Sequence, residues 1–128
     1  MKYLITILII ILIFSSCKKD DSDTTIPTIT INAPMNQADH SSGDMLHIDI
    51  DISDNDEIHN VNAYLITSHM GMIDTVWSEH AHPDATTYTM HGHYTIDTVM
   101  HTDFSIIVTA TDHSGNENTA THAFHVMQ

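Results

Sequence analysis

The segment from Leu46 to Ser53 alternates strictly between apolar and polar residues, and this period constrains the fold more than any other feature of the chain. One face carries aliphatic side chains, namely Leu46, Ile48, Ile50 and Ile52. The other face carries polar side chains, namely His47, Asp49, Asp51 and Ser53. Because successive side chains of a β-strand point to opposite faces, the pattern predicts a strand with one buried and one solvent-exposed face.

The rest of the segment 27–128 also reads as short strands separated by turn residues. Six further strands are predicted, at 28–31, 61–67, 74–78, 87–96, 104–111 and 119–126. The acidic cluster 54–57 is predicted to end the alternating strand, and 112–116 is predicted to be a turn because Gly and Asn accept positive φ. About seven short strands with such turn signals predict an all-β fold, an Ig-like antiparallel β-sandwich without helices.

The first sixteen residues follow the order of an export signal. Lys2 precedes an apolar run at 3–14, and two serines follow it. The run is shorter than the roughly 20 residues that a permanent membrane span needs. The sequence Ser15-Ser16-Cys17 looks like a bacterial lipobox, so residues 1–16 are predicted to be a lipoprotein signal peptide and Cys17 the acylated N-terminus. The alternative is an ordinary secretory signal in which the cysteine is incidental.

Residues 17–26 are predicted to form a polar, disordered tether between the anchor and the domain at 27–128. Lys18 and Lys19 followed by paired acids resemble the export signal of surface lipoproteins in Gram-negative bacteria. We therefore expect an outer-membrane lipoprotein on the cell surface or the periplasmic face, with the lipid anchor as its contact with the membrane. Cys17 is the only cysteine, so the domain has no internal disulfide. The sequence indicates no particular protein partner.

Charge excludes one class of ligand. After residue 16 the chain has two lysines, no arginine and all 17 of its carboxylates. Binding of phosphate groups depends on Lys and Arg, so we expect neither nucleic acid nor anionic headgroups to bind the domain. Such a surface attracts cations instead.

The twelve histidines are the natural candidates for binding a cation. His91 and His93 lie two residues apart in a predicted strand and therefore share one face. In an Ig-like sandwich this strand pairs with the alternating strand, which would bring His47 and Asp49 beside them. Three imidazoles and one carboxylate are a suitable ligand set for copper or zinc. A register shift of one residue would abolish the site, and the histidines would then be ordinary polar surface.

A second transition-metal site is also predicted, and its candidate ligands are His80, His82, His69, Met70 and Met72. The thioethers beside an imidazole suit copper(I), and Met100 beside His101 repeats that combination. Isolated histidines are predicted to be polar surface, namely His40, His59, His122 and His125.

Oxygen ligands define a candidate calcium site. Asp54 and Asp56 lie in the predicted loop after the alternating strand, and Asp112 and Asn116 lie in the predicted turn at 112–116. Both connections emerge at the same end of a sandwich, and calcium binds oxygens from such flexible loops. The alternative is that these residues are ordinary turn formers.

The stretch 110–116 resembles the last hairpin of many bacterial Ig-like and cadherin-like domains. Together with Cys-Lys-Lys-Asp-Asp after the signal, 53–56 and 91–94, it resembles a family of small bacterial lipoproteins known only as a domain of unknown function. That resemblance implies the fold and no activity. The chain shows no nucleophile motif and no phosphate-binding glycine loop, so we expect no enzyme. The leading hypothesis is a membrane-anchored lipoprotein that binds copper or zinc, and the alternative is a non-enzymatic adhesion or assembly module stabilised by calcium.

Overall fold

A computed structural model describes residues 22–35, 40–97 and 102–127. The seven strands in these ranges are β1 (Thr28–Ala33), β2 (His40–Ser41), β3 (Met45–His69), β4 (Met72–Ala81), β5 (Ala85–Thr95), β6 (Thr102–Asp112) and β7 (Glu117–Met127). The described residues include no helix that is long and apolar enough to span a membrane. The predicted signal peptide, Cys17 and the pair Met100 and His101 lie outside the described residues.

The strand β3 is 25 residues long and belongs to both layers of the fold. Its first half pairs antiparallel with β1 and β5, and its second half pairs antiparallel with β4 and β6. On the far side of β6 lies β7, and the short β2 pairs parallel with β7. The resulting architecture is the predicted Ig-like β-sandwich, antiparallel except for the short β2–β7 pair, in which one continuous strand connects the two layers.

The acidic cluster 54–57 does not end a strand, and the predicted break at this point is wrong. Pairing of β3 with β5 runs to Ser53 and resumes only at Ile58, where the pairing with β6 also begins. Residues 54–57 are therefore the point at which β3 leaves one layer and enters the other while its backbone stays extended. The count of seven strands is the same as predicted because two predicted strands merge into β3 while β2 is additional.

The alternating strand contributes its aliphatic face to the core, as predicted. Leu46, Ile48, Ile50 and Ile52 are at most 2% exposed. Strand β6 alternates in the same way, and its buried apolar members are Phe104, Ile106, Val108 and Ala110. Burial of these faces between the layers is the main favourable contribution to folding, because it removes apolar surface from water.

Gly92 in β5 is buried because the indole of Trp77 in β4 lies against its backbone. A Cβ atom added to Gly92 would lie 2.5 Å from Trp77 Cζ2. Only glycine permits this close approach, and the alternation of the strand then directs the flanking His91 and His93 to the outer face, where both are exposed. The spacing of the two histidines thus follows from the packing beneath them.

Candidate metal centres

The predicted pairing of His47 and Asp49 with His93 and His91 is confirmed. In the register of β3 and β5, His47 lies opposite His93 and Asp49 lies opposite His91. His91 Nδ1 is 3.1 Å from Asp49 Oδ1, and the rings of His47 and His93 meet edge to face with centroids 4.9 Å apart. Directly opposed side chains of an antiparallel pair are close enough to interact, so the two strands present two ligand pairs side by side.

These four side chains line one groove, which we call the face groove. Its volume is about 440 Å³, and its floor and wall are completed by Ala33, Ile48 and Gly92. Asp49 Oδ1 is closed off from solvent and accepts no hydrogen bond from any described residue. Although His91 Nδ1 lies nearby, Asp49 Oδ1 is therefore a buried acceptor without a donor, and a cation in the groove would satisfy it. Binding of one ion by three groove ligands requires a side-chain rotation, because their ligand atoms are arranged as two pairs.

A group of three ligands that already converge lies at the end of the sandwich, and we call it the corner cluster: His59, Asp84 and His113. One ligand atom from each lies within 4.8 Å of the other two. Asp84 Oδ1 is 3.3 Å from His59 Nδ1 and 3.1 Å from His113 Nε2. The hydrogen bond from His113, followed by that from His59, lowers the pKa of the Asp84 carboxyl below its usual value. The carboxylate is therefore ionised at neutral pH.

Each member of the corner cluster comes from a different part of the chain. His59 lies in β3 just after that strand changes layer, Asp84 lies between β4 and β5, and His113 lies in the turn between β6 and β7. Asp84 has a φ of 45°, a left-handed conformation that Asp adopts more readily than most residues. The main-chain N–H of His113 donates to the carbonyl of Glu57 at 2.9 Å, which holds this turn against β3.

The predicted ligands His80 and His82 extend the corner cluster. The rings of His82 and His59 have centroids 5.5 Å apart, and His82 Nδ1 is 2.9 Å from the His59 carbonyl oxygen. His80 Nε2 is 2.9 Å from His82 Nε2, and its Nδ1 is 2.7 Å from Asn62 Oδ1. Four histidines thus form a continuous patch at this end of the sandwich.

The other predicted members of the second site lie elsewhere. His69 pairs with Met72 across the β3–β4 hairpin, and Met70 at its tip is 83% exposed. Strand β4 runs from Met72 toward His80, which places them roughly 26 Å apart at 3.3 Å per residue. The five predicted ligands therefore do not meet at one ion, because they occupy opposite ends of the same hairpin.

The candidate calcium ligands Asp54 and Asp112 do meet, and Asp23 joins them. One oxygen from each lies within 4.8 Å of the others, and we call this group the acidic pocket. Asp112 is only 2% exposed. Its carboxylate accepts from the Asn116 main-chain N–H at 2.8 Å and from Asn116 Nδ2 at 2.7 Å. Asn116 thus serves as a donor that orients Asp112.

Asp56, by contrast, accepts from the Ser114 hydroxyl at 2.9 Å and is not part of the group. Asp23 belongs to the predicted tether, yet its carbonyl accepts from Asn116 Nδ2 at 3.0 Å, so contacts with the domain begin before residue 27. The main-chain N–H of Thr25 and then the Asn55 side chain lower the pKa of the Asp23 carboxyl. Oδ2 of both Asp23 and Asp54 is buried and finds no donor within the described ranges.

The sequence pattern alone does not select Asp23, Asp84 or His113, and it predicts His59 as ordinary polar surface. One available signal was topological. The segment 54–57 and the turn at 112–116 are expected at the same end of an Ig-like sandwich, which places Asp54 near Asp112. The same topology places their sequence neighbours His59 and His113 close together.

A family model described as a domain of unknown function, DUF4625, matches residues 15–127. The chain belongs to this family. The resemblance expected from the sequence is thereby confirmed, and it assigns no activity to this DUF4625 domain. No curated protein matches the chain. Among solved structures it is similar to one titled "Structures of Clostridium thermocellum CbhA fibronectin(III)-like modules", at 18% identity and a TM-score of 0.46 over 79% of this chain. The match covers 45% of that protein's chain.

Proposed function

We propose that this DUF4625 protein is a membrane-anchored extracytoplasmic lipoprotein that binds a transition-metal ion, copper or zinc, in the face groove. The observation that carries the proposal is the shared lining of one groove by His47, Asp49, His91 and His93, held opposite each other by the β3–β5 register. The role is non-enzymatic sequestration or delivery of the ion at a membrane.

The ligand chemistry of the groove suits these metals. Imidazole nitrogens bind zinc at about 2.0–2.1 Å and carboxylate oxygens at about 2.0–2.2 Å. Asp49 Oδ1 lies 3.1 Å from His91 Nδ1, so an oxygen ligand and a nitrogen ligand stand side by side in the groove. Cys17 is the only thiol of the chain, so nitrogen and oxygen ligands define the site within the domain. Imidazole nitrogens suit zinc and copper, and zinc also binds carboxylate oxygens.

The electrostatics and openness of the domain agree with capture rather than catalysis. No Lys or Arg follows Lys19, so the domain concentrates cations near its surface. The groove lies on an exposed sheet face, whereas sites that act on small molecules generally enclose them. A lipid on Cys17 would hold this surface at the outer membrane, on the cell surface or the periplasmic face.

Calorimetric titration of the full-length protein in detergent with copper(II) and with zinc tests the proposal. The double variant His91→Ala/His93→Ala should bind one equivalent fewer than the wild-type protein. The matched control His69→Ala/His122→Ala removes two histidines outside the groove and should keep the wild-type stoichiometry. Equal stoichiometry in all three proteins would contradict binding in the groove.

A second candidate function is a non-enzymatic adhesion or assembly module stabilised by calcium, and the acidic pocket favours it. Three carboxylates converge there, Asp112 is buried, and Oδ2 of Asp23 and Oδ2 of Asp54 accept no hydrogen bond from the described residues. Unpaired buried carboxylate oxygens are costly unless a cation compensates them. Calcium binds oxygen ligands at 2.3–2.6 Å, and extracellular modules typically bind it with dissociation constants of about 10⁻⁴–10⁻³ M.

A further inference from the structure

We propose that the corner cluster is a second transition-metal site, which binds zinc or copper(II) and fastens three parts of the chain at one end of the sandwich. Its ligands are His59, Asp84 and His113, and none of them lines the face groove. The two sites can therefore be tested separately, and each can fail without the other.

The spacing of the ligand atoms fits a small ion. In a tetrahedral site with bonds of about 2.0–2.1 Å, neighbouring ligand atoms lie about 3.3–3.4 Å apart. Asp84 Oδ1 is 3.3 Å from His59 Nδ1 and 3.1 Å from His113 Nε2, which match this spacing, and one ligand atom from each of the three residues lies within 4.8 Å of the other two. This convergence distinguishes the corner cluster from the face groove, whose ligands form two separate pairs.

The protonation states also fit. Imidazole binds a metal in its neutral form through an unprotonated nitrogen, and a carboxylate binds in its ionised form. The hydrogen bonds from His113 and His59 already favour the ionised form of Asp84. When the ion enters, it replaces the protons that His59 Nδ1 and His113 Nε2 share with Asp84, and any such proton is released to solvent or moves to the other ring nitrogen. No oxidant or other reactant is involved.

Neighbouring groups can complete and support the coordination. The Glu57 carboxylate lies 3.8 Å from His113 Nε2, and the ring of His82 lies beside that of His59. Either can supply a fourth ligand after a side-chain rotation, and water can do so otherwise. The His82 contact with the His59 carbonyl and the His113 N–H bond to Glu57 fix the backbone around the site.

Access and consequence both follow from the position of the cluster. The side chains of His59, Asp84 and His113 are 51%, 58% and 45% exposed, so an ion reaches them directly from solvent. His59 and Asp84 are 25 residues apart in sequence, and Asp84 and His113 are 29 residues apart. An ion held by all three binds the folded chain, which brings these ligands together, more tightly than the unfolded chain and therefore stabilises the fold.

Zinc titration of the full-length protein in detergent tests the proposal by the difference between variants. His59→Ala/His113→Ala should bind one equivalent fewer than wild type, and His59→Ala/His113→Ala/His91→Ala/His93→Ala should bind two fewer. Asp84→Asn retains the shape of the carboxylate and should weaken zinc binding at the corner at least tenfold. Unchanged stoichiometry and affinity in the corner variants would overturn the proposal, even if His91→Ala/His93→Ala loses its equivalent.

A second measurement on the wild-type protein does not depend on variants that fold. Diethyl pyrocarbonate modifies accessible imidazoles, and mass spectrometry reports the modified residues. Saturating zinc should protect His59 and His113 at least tenfold, whereas His69 at the distant hairpin provides the unprotected control. Equal modification of His59 and His113 with and without zinc would overturn the proposal.

Discussion

The face groove and the corner cluster contain the same types of side chain, but they are built in different ways. The groove ligands occupy two paired strands, and their neighbours are determined by one antiparallel register. The corner ligands occupy a strand, a loop and a turn, and they converge because three connections meet at one end of the sandwich. The alternation of the sequence therefore predicts the groove ligands, but these ligands form two separate pairs. It does not predict the corner cluster, whose ligands do converge.

The largest expected effect tests how the groove depends on the packing beneath it. Gly92→Ala should lower the free energy of unfolding by about 1–3 kcal/mol, because its Cβ would overlap the Trp77 indole. In an ordinary strand the same change would stabilise the protein by roughly 0.5–1 kcal/mol, so the sign of the change is decisive. Urea unfolding measures it.

The control for this prediction combines Gly92→Ala with Trp77→Leu, which shortens the overlapping side chain. The combined variant should lose less stability than the sum of the two single variants, as expected for two residues in contact. Additive losses, or a stabilising effect of Gly92→Ala alone, would show that Trp77 does not constrain the strand beneath His91 and His93.

The difference between the two sites also shows which parts of the structure the sequence could predict. Alternation in β3 predicts its buried face, its polar face and, with the Ig-like topology, its pairing with β5. Each of these depends on the two-residue period of a strand. The sequence wrongly predicts that β3 ends at 54–57, because the acidic composition of this segment is typical of turns. In the structure the segment is extended chain between two sets of pairing partners. Strand β2, at only two residues, has no period to detect.

The convergence of the corner cluster could not be predicted for a related reason. Asp84 reaches both histidines from a backbone with a φ of 45°, and loop geometry of this kind depends on the structure around it. Asp23 likewise reaches the acidic pocket through a contact with Asn116 that is 93 residues away in sequence. Contacts of such separation leave no local pattern in the sequence.

Calcium in the acidic pocket should stabilise the fold, and through the adjoining turn it should also affect the corner cluster. At 10 mM calcium, dissociation constants of about 10⁻⁴–10⁻³ M give roughly 1.4–2.7 kcal/mol of added stability. Asp54→Asn should abolish this gain, and magnesium should not reproduce it because it gives up its water ligands reluctantly. Thermal unfolding with each ion measures the effect.

The same experiment separates the corner cluster from the face groove. His113 directly follows Asp112, so an ion in the acidic pocket should order the turn that carries a corner ligand. Calcium should therefore strengthen zinc binding in His91→Ala/His93→Ala, in which the corner cluster is the intact site. It should leave zinc binding unchanged in His59→Ala/His113→Ala, in which the face groove is the intact site. A calcium effect of equal size on both variants would show that the two sites are not distinguished by the pocket.

The smallest expected effect compares one carboxylate of the corner with one on the outer face. Asp84 and Asp51 both have a lowered pKa, but through different partners. The Thr89 hydroxyl at 2.8 Å and Asn32 Nδ2 at 2.7 Å, which are neutral donors, are the main causes that lower the pKa of Asp51, and the charge of His91 adds a smaller lowering effect. Asp84 accepts mainly from His113 and then from His59, and imidazoles become positively charged in acid.

A lowered carboxyl pKa contributes stability above its ordinary value of 3.8, and this contribution is lost as the pH falls through the folded-state value. Asp84→Asn and Asp51→Asn should therefore each reduce the loss of stability between pH 5 and pH 2.5. Raising the salt to 1 M, where the screening length is about 3 Å, should weaken the Asp84 contribution, which has two histidine partners, more than that of Asp51, on which only His91 acts through its charge. Urea midpoints across this pH range at low and high salt measure both. If salt affected the two aspartates equally, the charges of His59 and His113 would not contribute to the lowered pKa of Asp84. The hydrogen bonds from these two residues would then account for it.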